Sequence, residues 1–125
     1  MSDKDIEQEI QDKGLTAPRV TPDLIQSVIV HEMYLSPADR IHWTDHVHAH
    51  SDEQKEMILR SLQCLTICVL TLKNGFTVIG ESACASPENF DPEIGRKIAR
   101  ENAVNKVWML EGYLLKQNLF LINQQ

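Results

Sequence analysis

The sequence predicts an α+β fold in which a β-hairpin packs against a long C-terminal helix, with two or three short helices in the N-terminal half. Two runs rich in β-branched and apolar residues flank the dipeptide Asn74-Gly75, a strong hairpin signal. Apolar residues recur at helical spacing from Pro92 to about Lys116. With 125 residues, 42% of them hydrophobic, the chain is long enough for one domain with a buried core.

The first 20 residues are predicted to form a flexible N-terminal arm, and residues 21–125 a single α+β domain. The arm is polar, contains Gly14 and Pro18, and has only scattered apolar residues. A terminus of this composition becomes ordered when it docks on a domain or a partner.

Three helix start signals follow the arm. The Thr-Pro-Asp sequence at residues 21–23 puts a capping hydroxyl before a proline, and predicts a short amphipathic helix that ends near Met33. The Ser-Pro-Ala-Asp sequence at residues 36–39 repeats the signal and opens a segment over residues 37–50. Ser51 with Gln54 resembles a capping box and predicts a third helix.

A hairpin with a two-residue turn is predicted between Leu65 and Ile79. Asn-Gly tolerates positive φ at both turn positions. Such a turn would place Leu70 opposite Ile79 on one face, with Val69 and Val78 on the other. Because both faces are partly apolar, the hairpin must pack on helices, pair with another strand, or pair with another copy of the chain.

The C-terminal helix is predicted to begin after Asp91 and to run to about Lys116. Gly112 weakens it by about 1 kcal/mol relative to alanine, which close packing against another element would explain. The apolar residues 119–122 are expected to dock on the core or to form an oligomer contact. The side chains expected to be buried are Ile94, Ile98, Val104, Val107, Trp108, Leu114 and Leu115 of the helix, with the aromatic residues Trp43, Phe90 and Tyr113.

The charge and cysteine content restrict the partners and the compartment. The formal charge is −6, so the chain as a whole does not attract nucleic acid, whereas it can dock on a basic protein surface. Residues 1–13 are charged where a secretory signal would be apolar, and no apolar run reaches the roughly 18 residues of a membrane span. Cys64, Cys68 and Cys84 cannot all pair within one chain, which favours free thiols in a reducing cytosol.

A basic group at the start of the long helix is the candidate ligand site. Arg96, Lys97 and Arg100 lie where the helix dipole already favours an anion. The preceding loop adds possible hydrogen-bond donors, namely Ser82, Ser86 and Asn89. The alternative is surface charge paired with Glu93 and Glu101, while Glu81 is expected to form a strut with Arg96 or Arg100.

Histidine and cysteine side chains give a weaker indication of chemistry. His42, His46 and His50 would share a helix face, and His46, His48 and His50 a strand face, but a zinc site needs a fourth ligand and a second shell. A His-rich polar surface is the favoured interpretation, so no metal and no cofactor are expected. Cys64 and Cys68 are expected to be buried apolar residues, and Cys84 has no histidine near it in sequence to act as a base.

One ordered series of motifs spans residues 66–115 and resembles a known family. The motifs are LTLKNGFTV at residues 70–78, GESAC at 80–84, NFD at 89–91, GRKIA at 95–99 and LEGYL at 110–114. The series is similar to the phage family named for the forty-ninth gene product of phage N-four and gene sixty-six of phage Sf-six. The family pattern often has a proline before the last motif, where this chain has Met109, so the helix can continue unbroken.

The resemblance implies a small phage or prophage protein made in the cytoplasm of a bacterial host, and it implies no catalytic residue. The first hypothesis is therefore a non-catalytic accessory protein that binds a bacterial host protein, for example to inhibit a host enzyme or a defence system. The second is an oligomer that sequesters an anionic small molecule or signalling nucleotide at the basic group. A metal-dependent hydrolase built on the histidines ranks last. Because the chain has one hairpin and an apolar C-terminus, a homodimer or higher homo-oligomer is expected.

Overall fold

A three-stranded antiparallel sheet with one long helix across it forms the centre of the computed structural model, which describes residues 2–43 and 50–125. The predicted α+β class is confirmed. The helices are α1 (Asp3–Asp12), α2 (Pro22–Val28), α3 (Asp52–Gln63) and α4 (Pro92–Asn123), and the strands are β1 (Ile29–Leu35), β2 (Leu65–Leu72) and β3 (Thr77–Ala83), in the order β1-β2-β3.

The first strand, β1, was missed by the sequence prediction, which extended α2 to Met33. The helix ends at Val28 because the β-branched pair Ile29-Val30 follows and the chain then pairs antiparallel with β2. Tyr34 lies opposite Cys68 in this pairing. Of the alternatives for the hairpin, strand pairing and helix packing therefore both occur.

The hairpin register differs from the prediction by one residue. Gly75 has φ of +88°, no other residue of the turn has positive φ, and Leu72 N–H donates to Phe76 O at 2.8 Å. The turn thus has three residues with glycine in the left-handed position rather than two. A one-residue change moves side chains to the opposite face, so Leu70 lies opposite Val78, and Ile79 lies opposite Val69 on the other face.

The core lies between the sheet and the first half of α4. It contains Leu70, Leu72 and Val78 from the sheet and Ala99 and Val107 from the helix. The helix approaches β3 so closely at Gly80 that a built Cβ would lie 2.2 Å from the carbonyl oxygen of Ala99. Only glycine fits there, which explains this position of the GESAC motif.

Small residues on α4 carry the contact that the prediction assigned to large ones. The buried helix residues are Gly95, Ala99, Ala103, Val104 and Val107. The predicted stripe is therefore wrong at Ile94, Ile98 and Leu114, which are exposed, and so is the core position of Tyr113. Gly112 has no heavy atom within 4 Å of a built Cβ, so the close packing expected there is absent from the described structure.

The N-terminal half follows the start signals in part. Ser51 and Gln54 form the predicted capping box at α3, and Thr21 caps α2. The segment predicted over residues 37–50 begins as a short 3-10 turn at Pro37–Asp39, and its residues 44–49 lie outside the described residues. The predicted arm contains α1, whose Glu7 forms an ion pair with Arg19.

Candidate functional site

The first turns of α4 hold the three predicted cations. Pro92 at the first helical position and Asp91 at the N-cap start the helix. The carboxylate of Asp91 accepts hydrogen bonds from the amides of Glu93 and Ile94, at 2.9 and 3.2 Å. Two of the free amides that could bind an anion are therefore already satisfied.

Lys97 lies in solvent beside Glu93. Its Nζ is 3.5 Å from a carboxylate oxygen of Glu93, and both side chains are about three-quarters exposed. An exposed pair of this kind contributes little to stability and partly neutralises the lysine.

Arg100 joins α4 to β1 and α2. Its Nε donates to Glu32 at 2.7 Å, and one terminal nitrogen donates to the side-chain oxygen of Gln26 at 3.1 Å. The strut predicted for Glu81 is therefore wrong, because Arg100 pairs with Glu32 instead. The hydrogen bond from Arg100 holds the pKa of Glu32 below its ordinary value.

Tyr34 extends this cluster toward the core. Its hydroxyl donates to Glu32 at 3.1 Å. Burial, together with this hydrogen bond, raises the pKa of Tyr34 to about 12. Burial also raises the pKa of the neighbouring Cys68 thiol, which favours its protonated form. The cluster therefore links α4 to β1 and α2. Because Arg100 is engaged by Glu32 and Gln26, its charge is less available to a ligand.

Arg96 is the cation with an open environment. It belongs to none of the ion pairs found within residues 2–43 and 50–125. It lines an open cavity of about 330 Å³ between the end of β1 and the start of α4. The cavity wall also includes Tyr34, Asp39, Thr66 and Phe90.

The loop residues predicted for the same site lie apart from this cavity wall. Ser82 is on β3 opposite Thr66. Ser86 and Asn89 share the turn before α4, where the amide of Asn89 donates to Ser86 O at 2.9 Å. Of the six predicted residues, the structure puts Arg96 alone in the cavity wall, and the anion site stays a prediction.

The histidine cluster falls partly outside the described residues, because His46 and His48 belong to residues 44–49. His42 is exposed, and the ring of His50 packs edge-on against Trp43 with centroids 6.4 Å apart. Within the described part of the chain, no three His, Cys, Asp or Glu side chains are grouped as a metal site requires. The cysteines are free thiols, with Cys64 and Cys68 buried as predicted and the Cys84 thiol donating to Ser86 O.

The sheet face away from α4 is a feature that the sequence prediction missed. Met33, Val69 and Ile79 lie side by side across the three strands on this face. Met33 is 42% exposed, Ile79 is 48% exposed, and Val69 is half-buried between them. Leu35 and Ile67 form the next row, with the exposed Glu81 beside them. We call these residues the open face.

Two carbonyls of the outer edge strand β3 accept hydrogen bonds from side chains of α4. Lys106 donates to the carbonyl of Ile79 at 2.5 Å, and Asn102 donates to the carbonyl of Glu81 at 2.8 Å. These α4 side chains occupy the carbonyls that a further strand would use. Contact with another molecule at this side of the sheet is therefore expected through side chains.

The C-terminal half of α4 carries a second exposed apolar surface. Beyond Val107 no described residue of the helix is buried. We call its apolar side the tail face, which consists of Met109, Leu110, Tyr113, Leu114, Phe120 and Leu121. No helix within residues 2–43 and 50–125 has the length and apolar character needed to cross a membrane.

The chain was compared with known protein families, curated proteins and solved structures. Residues 20–119 match the model of the phage protein (N4 Gp49/phage Sf6 gene 66) family. The match confirms the resemblance seen at residues 66–115 and extends it to the N-terminal half of the domain. No curated protein and no solved structure matches the chain.

Proposed function

The chain belongs to the phage protein (N4 Gp49/phage Sf6 gene 66) family, and we propose that it is a non-catalytic accessory protein that binds a protein of the bacterial host. The observation that carries the proposal is the open face. An apolar row across three strands, left exposed on one side, is typical of a protein interaction surface. The protein acts in the host cytoplasm, where its three thiols stay reduced.

The partner surface has an apolar centre and basic residues around it. Met33, Val69 and Ile79 supply the apolar centre on this chain, and Glu81 lies exposed on the same face. The net charge of −6 favours approach to a basic surface over an acidic one. Such a protein inhibits a host enzyme or defence system by covering a basic groove that otherwise binds a polyanion.

The docking mode is face-to-surface contact. Lys106 and Asn102 occupy two carbonyls of the β3 edge, and we assign the main affinity to apolar side chains that enter a pocket of the partner. Ile79 is the side chain on which this contact depends most, because it is the most exposed of the row.

The experiment is affinity capture from bacterial lysate with the wild type and with Ile79→Glu, followed by titration of the purified captured protein. A carboxylate at the centre of an apolar contact is expected to weaken binding by about thirtyfold or more. Equal affinity of the two proteins for the captured partner would contradict the assignment of the open face. Failure to capture any specific protein at several salt concentrations would contradict the function.

Gly112→Glu is the matched control. It adds the same charge at an exposed position of α4 where a new side chain meets no heavy atom within 4 Å. This variant is expected to bind the captured partner like the wild type.

Sequestration of an anionic small molecule or signalling nucleotide is the second candidate, because Arg96 lines a cavity beside the buried Thr66 and the ring of Phe90. Ligand binding would raise the melting temperature by mass action. Arg96→Glu should abolish such a shift with inorganic phosphate or a panel of nucleotides, and Lys97→Glu should keep it. Arg100 is a poor choice for this test, because its reversal would break the contact with Glu32.

A further inference from the structure

The helix α4 is far longer than the sheet that it covers. Its 32 residues extend about 48 Å, whereas the eight residues of β2 extend about 27 Å. The residues of α4 that are buried all lie between Gly95 and Val107. The last turns therefore project beyond the sheet with no strand beneath them.

The projecting part is apolar where solvent would require polar residues. From Met109 to Gln125 the sequence has two charged side chains, Glu111 and Lys116. At about 100° per residue, the tail face occupies one side of the helix, with Lys116 at its border and Glu111 outside it. The six tail-face side chains are 36–73% exposed. A helix with such a surface is normally covered by another element.

The spacing on this surface is that of a helix that pairs with another helix. Val107, Leu110, Leu114, Gln117 and Leu121 follow one another at intervals of three, four, three and four residues. This is the a/d pattern of two-helix packing, and a single polar residue in such a pattern is a known means of fixing register. Val107 ends the stripe that packs on the sheet, so the same stripe continues from the core onto the tail.

We propose that the tail face pairs with the tail face of a second copy of this chain, with the two helices antiparallel. An uncharged surface selects neither an acidic nor a basic partner, whereas the repeated apolar pattern is complementary to itself about a twofold axis. The antiparallel direction follows from the position of the sheet. The apolar stripe of the tail face continues the stripe of α4 that the sheet already covers over residues 95–107. In a parallel pair the two sheets would need to occupy the same space.

The available area is sufficient for such a dimer. The six residues together expose the equivalent of about three large side chains, or roughly 600 Å² per copy at about 200 Å² each. If all of this area were covered, two copies would bury at most about 1,200 Å², which reaches the lower end of the range for specific interfaces. The dimer leaves the open face free, so it goes beyond the proposed binding of a host protein and does not depend on it.

The experiment is native mass spectrometry and sedimentation equilibrium of the full chain at micromolar concentration. The expected mass is twice the 14.3 kDa of the chain. Leu114→Glu and, separately, Leu121→Glu are expected to weaken the dimer about a hundredfold, because each buries a carboxylate in the pair. Far-UV circular dichroism identifies any variant that has lost its fold.

Gly112→Glu, on the opposite side of the same helix, is expected to remain a dimer like the wild type. A monomeric wild type would overturn the proposal. So would folded Leu114→Glu and Leu121→Glu variants with the dimer affinity of the wild type, or a trimer or larger assembly dispersed by both variants.

Discussion

Gly80 and Gly112 are both glycines inside regular elements, and the structure predicts opposite effects for their replacement by alanine. A methyl group at Gly80 would lie 2.2 Å from Ala99 O and 2.3 Å from Ala103 N, both backbone atoms that cannot move aside. We expect Gly80→Ala to destabilise the protein by about 3 kcal/mol or more. Gly112→Ala adds a helix-favouring residue in open space and should stabilise by up to about 1 kcal/mol.

Urea unfolding of the two variants beside the wild type measures both effects. If Gly80→Ala unfolded with wild-type stability, the close approach of α4 to β3 would be contradicted.

The contact between Glu32 and Arg100 should make stability depend on pH. Because the hydrogen bond from Arg100 lowers the pKa of Glu32 in the folded state, the contact stabilises fully above the ordinary value of 4.5 and is lost as the pH falls through the lowered pKa. We expect the free energy of unfolding of the wild type to exceed that of Glu32→Gln by at most about 1 kcal/mol at pH 7. The difference is small because the side chains of Glu32 and Arg100 are both partly exposed. The difference should vanish in acid.

Urea unfolding at neutral pH and at a pH below the lowered pKa tests this dependence. If the wild type and Glu32→Gln differed in free energy of unfolding by the same amount at both pH values, the charge of Glu32 would make no contribution to stability.

The residues of the candidate site could be predicted only in part. Arg96, Lys97 and Arg100 follow a helix start that is encoded within a few residues, so their place on the first turns was predictable. The partner of Arg100 was not, because Glu32 is 68 positions away and lies on a strand that the local pattern did not reveal.

Among the elements, the hairpin turn has the most specific conformational requirement. Gly75 has φ of +88°, a region that costs a residue with a side chain about 1–2 kcal/mol. We expect Gly75→Ala to lower the free energy of unfolding by about that amount, although open space surrounds the position. Lys73→Ala, in the same turn with negative φ, is the control and should change stability little. Equal stabilities of the two variants in urea would contradict the turn described here.

The elements that were predictable are those with local signals. The caps of α2, α3 and α4 lie next to the helices that they start, so the sequence alone identified them. Strand β1 depends on pairing with β2 some 40 residues away, and its short apolar run is compatible with a helix as well. The hairpin register could not be predicted because Asn-Gly occurs in both two-residue and three-residue turns, and these turns differ in whether Asn74 has a positive φ as well as Gly75.

In the molecule as a whole, the described residues form a buried core, and the open face and the tail face are exposed apolar surfaces outside it. The core lies between α4 and one face of the sheet. The open face and the tail face lie on different parts of the molecule, and each is assigned its own occupant, a host protein and a second copy. A family match over residues 20–119 shows a phage protein, and the proposed host-binding role is assigned to the open face.

The sequence predicts an apolar contact at residues 119–122, which includes part of the tail face, whereas the position of the open face was not predictable. An acidic chain of 125 residues with one hairpin indicated an oligomer and a basic partner. The position of the open face depends on which sheet face α4 covers, and this follows from the small residues Gly80, Ala99 and Ala103 meeting at one place.

Oxidative footprinting of the methionines, with the captured host protein present and absent, measures whether the partner covers the open face. Met33 lies on the open face and is 42% exposed, while Met57 on α3 is 58% exposed and lies outside both surfaces. Oxidation of a thioether follows its exposure. We expect the partner to slow oxidation of Met33 several-fold and to leave that of Met57 unchanged. Equal oxidation of Met33 in the free and bound protein would contradict binding through the open face.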